Sequence, residues 1–211
     1  MDSLKFAFYL GLLVGDGSLS NRNNGNGYPT YSVRFFNTNK EFVDLFYNLH
    51  RDLFDEAGKI SYRDRKNKKR LYEFNMYSRS TFDYLVNVVG IPSGKKSDIV
   101  RIPNLILSNE DIIGKYFFFG LLLSDGGINK NKSIGFHMAS KGLLDDLNKL
   151  IFQIWKFNLT VKSIVQKNKY YSYQLNLKTN EGNTILKDIC RDRITWYCTD
   201  SEELILLKCK P

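Results

Sequence analysis

The sequence predicts an α+β protein of two pseudo-symmetric halves, each with the element order α-β-β-α-β-β-α. Three observations predict it: a ten-residue apolar segment that occurs twice, the alternating runs that follow each copy, and a proline-bearing stretch between the two sets. They divide the chain into an N-terminal repeat at 1–91, a connection at 92–111 and a C-terminal repeat at 112–211.

The repeated segment comes first in each half. Phe8-Tyr9-Leu10-Gly11-Leu12-Leu13-Val14-Gly15-Asp16-Gly17 returns as Phe117-Phe118-Phe119-Gly120-Leu121-Leu122-Leu123-Ser124-Asp125-Gly126, 109 positions later. Two copies make a duplicated module, since solenoid arrays use shorter periods and more copies. Asp16-Gly17 leads into polar, turn-rich Asn21 to Gly27 and then strand-like Tyr31 to Phe36, where Val33 and Phe35 alternate with Ser32 and Arg34. Asp125-Gly126-Gly127 leads likewise into Ser133 to Met138, with Ile134, Phe136 and Met138 on one face.

A helical segment follows in both halves, Lys40 to Phe54 and Lys141 to Phe157. Two further alternating runs read as a hairpin, Lys59 to Arg65 with Leu71 to Tyr77, and Thr160 to Gln166 with Tyr171 to Lys178. Each half closes on a helix, about Ser80 to Val89 and Gly182 to Cys190. Ile91-Pro92 through Ile102-Pro103-Asn104 is the connection, because proline discourages helix in the residue before it.

Composition narrows the function classes. With 31 Lys+Arg against 22 Asp+Glu the net charge is +9, which favours a polyanionic partner held through phosphates. Cys190, Cys198 and Cys209 form no C-x-x-C pair, so neither a disulfide framework nor a zinc site is indicated. Only His50 and His137 are present, which leaves carboxylate oxygens as the metal ligands, the kind Mg²⁺ prefers. The apolar run Phe6 to Val14 is far short of the ~20 residues of a membrane span. It has no basic region or cleavage site of a signal peptide, so an intracellular, non-secreted chain is expected, with no membrane partner.

Gly11 and Gly15 lie four apart, as do Gly120 and Ser124, so each repeated helix has one face without bulky side chains. Two such helices can pack backbone to backbone. If they run parallel, Asp16 and Asp125 meet at the base of the interface, each at the negative end of its helix dipole and beside a like charge. A divalent cation there removes both penalties and is what phosphodiester hydrolysis uses.

The two segments, with leucines around a central glycine and a final Asp-Gly, resemble the paired motifs of single-chain LAGLIDADG homing endonucleases. The resemblance covers nearly the whole chain; Val14 and Leu123 stand where the family word often has an Asp. It implies motif helices packed at a central interface and two antiparallel sheets forming a DNA-binding saddle over the major groove. It implies further that Asp16 and Asp125, with Gly15 and Ser124 before them, hold Mg²⁺, and that the strands are cut across the minor groove to leave 3′ overhangs. Mn²⁺ is expected to substitute, and Ca²⁺ to support binding without cleavage. Members place a polar residue at the end of the second strand to order water; Asn37 holds that position, while Met138 stands there in the second half, which predicts unequal machinery for the two strands. A lysine after the last helix of a repeat is matched by Lys95-Lys96, with Lys96 favoured, whereas only Arg191 and Arg193 fall nearby in the second half.

For reading double-stranded DNA, strand parity set by Val33, Phe35, Ile60, Tyr62, Phe74 and Leu175 as buried residues turns the alternate ones to the groove. These are Ser32, Arg34, Arg63, Arg65, Lys162, Gln166, Gln174 and Asn176, joined by Arg22, Asn24, Asn129 and Asn131 on the first strands. Arg suits guanine edges, and Asn or Gln suits adenine. The basic run Arg63 to Arg70 reads as a hairpin tip on phosphates. A monomer is expected, since one chain supplies both halves of the site, and an intron of an archaeon or an organelle is the expected setting. The alternatives are an RNA maturase or non-cleaving intron-splicing cofactor, with intron RNA as partner, an intein, which needs splicing residues at both ends, and a regulator, which needs an added domain.

Overall fold

The computed structural model describes residues 2–23, 28–165, 171–191 and 201–209. The first half runs α1 (Ser3–Asp16), β1 (Gly17–Asn23), β2 (Pro29–Asn37), α2 (Lys40–Phe54), β3 (Lys59–Arg65), β4 (Lys68–Tyr77) and α3 (Arg79–Asp83), which continues as a π-turn over Tyr84–Val88. A one-turn helix, α4 (Asn104–Leu107), interrupts the connection. The second half runs α5 (Asp111–Ser124), β5 (Gly126–Ile128), β6 (Ile134–Met138), α6 (Lys141–Trp155), β7 (Lys162–Val165), β8 (Tyr171–Leu177), α7 (Thr179–Arg191) and α8 (Ser201–Cys209).

Local chemistry starts and stops these helices. Asp2 caps α1 by accepting from the Leu4 and Lys5 amides, and Asn39 and Ser140 do the same for α2 and α6. Both α2 and α6 end on a non-glycine residue in the left-handed region, Asp55 at φ 53° and Lys156 at φ 60°, so the duplication extends to the caps. The two sheets are antiparallel and have the same order, β1-β2-β4-β3 and β5-β6-β8-β7. In register, Phe35 pairs with Phe74 and Phe136 with Leu175, so from the second strand onward the halves match at 101 positions.

The motif helices are apolar on every side because every side is covered. Phe6 to Val14 of α1 and Ile113 to Ser124 of α5 are all buried. Amphipathic α2 and α6 lie on the sheets, and Phe46 stacks on Phe35 with ring centroids 4.4 Å apart. The connection docks on the second half: Val100 and Ile102 are buried, and Arg101 grips the buried Asp146 with two bonds of 2.6 Å. Among the described residues no helix is long and apolar enough to cross a membrane.

Four sequence expectations need correction. Asn21 to Asn23, read as the start of a turn-rich run, continue β1, paired with Tyr31, Thr30 and Pro29 of β2. Strand β5 stops at Ile128, so Asn129 and Asn131 lie in the turn beyond it, bonded to Ser133. Tyr62 is 59% exposed, because β3 is the edge strand of its sheet. Finally, the chain carries an additional helix, α8, whose Leu204 is buried.

Candidate active site

The crossing of α1 and α5 is built on the two glycines. A methyl on Gly11 would strike the Phe117 carbonyl oxygen and come within 2.7 Å of the Leu121 amide, and one on Gly120 would strike the Phe8 carbonyl oxygen. The contacts are reciprocal, so a pseudo-twofold axis passes between the helices. A methyl on Gly15 would strike the Ser124 hydroxyl and lie 3.4 Å from the carboxyl carbon of Asp125. The contact pairs advance together along both helices, which therefore run parallel and end side by side.

Asp16 and Asp125 thus share one small volume. Burial and then the neighbouring Asp125 raise the Asp16 carboxyl from 3.8 to about 7, against the opposing pull of Lys208, Asn37 and Lys96. Asp125 opens toward solvent on its outer side, yet the protein atoms packed round it raise its carboxyl also. Both acids are therefore held where their charge is disfavoured.

Two lysines close the site. Lys96 Nζ donates to the carbonyls of Leu13, Val14 and Gly15 at 2.6, 2.5 and 3.3 Å, capping the end of α1. Lys208 Nζ donates to the carbonyls of Leu123 and Ser124 at 2.7 and 2.8 Å, capping α5 in the same way. Burial lowers the Lys96 ammonium from 10.5 to about 8, the two aspartates resisting. The sequence offers only Arg191 and Arg193 near the corresponding place in the second half; the group that stands opposite Lys96 is Lys208. Arg191 bonds to Asp188 at 2.7 Å, and Arg193 lies outside the described residues. Lys208 escapes a reading of the sequence because it arrives on α8 instead of on a loop after the last helix.

Within the site the halves differ at the residue that ends the second strand. Asn37 ends β2, its Oδ1 fixed by the Asn39 amide at 2.8 Å, which leaves Nδ2 to donate to Asp16 Oδ2 at 2.7 Å. Its counterpart Met138 is buried and has nothing to donate. The Ser124 hydroxyl turns back on the Gly120 and Leu121 carbonyls at 3.1 and 3.2 Å, while its main-chain oxygen accepts from Lys208 and that of Gly15 from Lys96.

The donor set is all oxygen, with two carboxylates whose charge a cation would relieve, and it fits a hard divalent metal. The carbonyls of Gly15 and Ser124 already hold positive charge, in the form of the two ammonium groups.

On the outer faces of the sheets the predicted groove residues meet different fates. Arg22 is exposed on β1, and Arg34 and Arg63 flank Glu73. Lys162 pairs in register with Gln174, whose side chain donates to Asn176 at 3.0 Å, so these three share a face. Ser32 is corrected: it is 2% exposed, and its hydroxyl donates inward to the Ser20 carbonyl at 3.4 Å. Arg65 folds onto the Lys69 carbonyl at 2.9 Å past an irregularity in β3. Asn24 and Gln166 lie outside the described residues. Glu73, Asn75, Tyr77 and His137 share the outer parity and are missing from the sequence expectation, although the alternation around Phe74 and Phe136 points to them.

Comparison with known proteins fits this geometry. No family model matches the chain. It is 28% identical over 181 residues to the replication factor C small subunit of Methanocaldococcus jannaschii, covering 85% of this chain and 9% of that one. It is 24% identical over 177 residues to an A-type ATP synthase subunit of Pyrococcus abyssi, covering 83% and 16%. The chain thus spans less than a fifth of either curated relative. Among solved structures, the homing endonuclease I-DmoI in complex with DNA and Mn superposes with TM-score 0.64 at 18% identity, over 88% of this chain and 95% of that one. The homing endonuclease I-WcaI bound to its DNA recognition sequence gives 0.62 at 16%, over 89% and 80%. The N-terminal LAGLIDADG domain of DUF199/WhiA gives 0.58 at 11%, over 89% and 81%. The fold is that of the single-chain, two-domain LAGLIDADG proteins.

Proposed function

We propose that the chain is a site-specific DNA endonuclease that makes a staggered double-strand break with 3′ overhangs. The observation that carries this reading is the pairing of Asp16 with Asp125 at the parallel ends of α1 and α5, each helix end capped by its own lysine. The fold shared with DNA-bound homing endonucleases supports it. So does the net charge of +9.

Asp16 and Asp125, with the main-chain oxygens of Gly15 and Ser124, would hold Mg²⁺. When bound, the metal polarises the phosphodiester and acidifies water. I-DmoI structures with Mn and with Ca support the use of a divalent ion. Asn37 orients the Asp16 carboxylate from a position fixed by its own main chain. Lys96, at about 8, holds a proton that it can give up near neutral pH, and its charge counters that gathering on a scissile phosphate. Lys208 brings the same group to the second strand. Both sheets turn their outer faces to the duplex, and one chain supplies both acids, which supports a monomer.

The matches to short stretches of a replication factor and of an ATP synthase component support a self-contained module. What such different proteins share is neither named activity, which suits a mobile element, intron-encoded or inserted in a host chain. The test is incubation of purified protein with a library of long DNA in Mg²⁺, Mn²⁺ or Ca²⁺, beside the Asp16→Asn, Asp125→Asn double variant. Discrete double-strand cuts with Mg²⁺, absent in the variant, are expected. No cleavage, with tight binding to a transcribed intron RNA instead, would replace the reading with a maturase.

A further inference from the structure

A carboxylate sits in the middle of the surface that would face DNA. Glu73 lies on the outer parity of β4, between Phe36 of β2 and Ser61 of β3 in register. Arg34 and Arg63 reach it from opposite strands, Arg34 Nη1 at 3.9 Å from Oε1 and Arg63 Nη2 at 3.3 Å from Oε2. The Glu73 side chain is only 16% exposed, against 64% for Arg63. Arg34 Nε is buried with no acceptor. Facing a polyanion, a lone carboxylate is a cost, and its place between two guanidinium groups shows what offsets it.

Fixing two long side chains before binding removes rotamer entropy that the complex would otherwise have to take away. The distances, longer than in a tight bidentate pair, leave the guanidinium forks able to engage a base edge. Each chemistry in the cluster points to one base pair type: arginine forks match the O6 and N7 of guanine, and a carboxylate accepts from the N4 of cytosine. The second sheet lacks the cluster entirely. At matched register, Gln174 stands for Glu73, Gly135 for Arg34 and Ile164 for Arg63, and Gln174 bonds to Asn176.

We propose that Glu73 determines specificity by holding Arg34 and Arg63 as guanine-reading forks. The half-site under β1–β4 then carries G·C pairs at the positions these arginines reach, and the half-site under β5–β8 carries no such imposed cluster. The inference rests on the reading of the chain as a DNA endonuclease, but its test does not require cleavage.

The experiment is selection of bound duplexes from a randomised library in Ca²⁺, followed by sequencing, for the unmodified protein and for Arg34→Lys, Arg63→Lys and Glu73→Gln. The lysine variants keep the charge and lose the fork. Expected is a cluster of G·C pairs on one side of the site centre whose preference falls in both lysine variants. In Glu73→Gln the preference at the same pairs falls on the order of tenfold while other positions hold. The proposal is overturned if the positions answering to the arginines are not G·C, or if Glu73→Gln leaves them unchanged or weakens all positions alike. Selection of no sequence at all would overturn it together with the endonuclease reading.

Discussion

The two halves share a backbone plan and solve the same burial problems with opposite chemistry. Beneath the first sheet lies a polar chain: Tyr9 OH meets His50 Nδ1 at 3.0 Å, His50 Nε2 faces Glu56 at 3.6 Å, and Glu56 accepts from Ser78 and Thr81. At the matching positions the second half has Phe118, Ile151 and Phe157, all apolar. At the outer end of the motif helices the roles reverse. Phe6, Phe54 and Tyr84 form an aromatic cluster in the first half, whereas Lys115 and Trp155 both bond to Asp188 at 2.9 Å in the second. The crossing of α1 and α5 and the four groups Asp16, Asp125, Lys96 and Lys208 keep their twofold relation where these clusters do not. Peripheral packing tolerates any satisfied solution, while the shared site requires both copies.

The largest effect expected is on chemistry and stability together. Asp16→Asn should lower cleavage on the order of a thousandfold, yet raise the unfolding temperature of the metal-free protein at pH 8. The sign follows from the shift. A carboxyl raised from 3.8 to about 7 on folding costs nothing below pH 4, and the cost grows between 4 and 7 and is full above. It is a few kcal/mol at most, so calorimetry at pH 8 and pH 4 should show the gain and then its disappearance. A variant that loses both activity and stability would make Asp16 a structural residue.

Breaking the crossing comes next. Gly11→Ala and Gly120→Ala each drive a methyl into main-chain atoms of the partner helix, and each should cost about 3 kcal/mol in denaturant unfolding. Equal costs would affirm the twofold interface; a tolerant Gly120 would show that the helices pack unequally. The site asymmetry should yield smaller, strand-specific effects. Asn37→Met should slow the strand served by Asp16 by about 10- to 100-fold. Met138→Asn should speed the other, each strand being labelled and followed separately.

The mildest change exchanges one polar core for the other half's apolar one. Burial lowers His50 from 6.5 to about 4, so the unfolded chain takes up its proton first. The stability this group lends is full above pH 6.5 and lost as pH falls toward 4, on the order of 3 kcal/mol. Relative to the unmodified protein, the Tyr9→Phe, His50→Ile pair should gain stability progressively as pH falls from 6.5 toward 4 in chemical denaturation; a difference that does not change with pH would place the acid sensitivity elsewhere.

Much of this plan is legible in the residues. The ten-residue repeat locates both motif helices, and the alternation around Phe35, Phe74, Phe136 and Leu175 sets the strand faces because one face of each sheet is buried. Lys208 is not legible: it sits 112 positions after Lys96, not 109 or 101, and depends on α8, which has no counterpart in the first half. Ser32 and Arg65 share the right parity but spend their donors on nearby carbonyls, a choice made by three-dimensional neighbours. Glu73 stays hidden because acidity alone argues against a DNA-facing role, and only its two arginine partners reverse that argument.

The central claim is that one acid from each half forms a single cutting site. It is tested most directly by strand-resolved cleavage of the selected target in Mg²⁺, with both strands end-labelled, comparing the unmodified protein with the Asp16→Asn, Asp125→Asn double variant. The account predicts that the protein cuts both strands, the one served by Asp16 and Asn37 first, and that the variant binds the target but cuts neither. Cleavage that persists in the variant would contradict it.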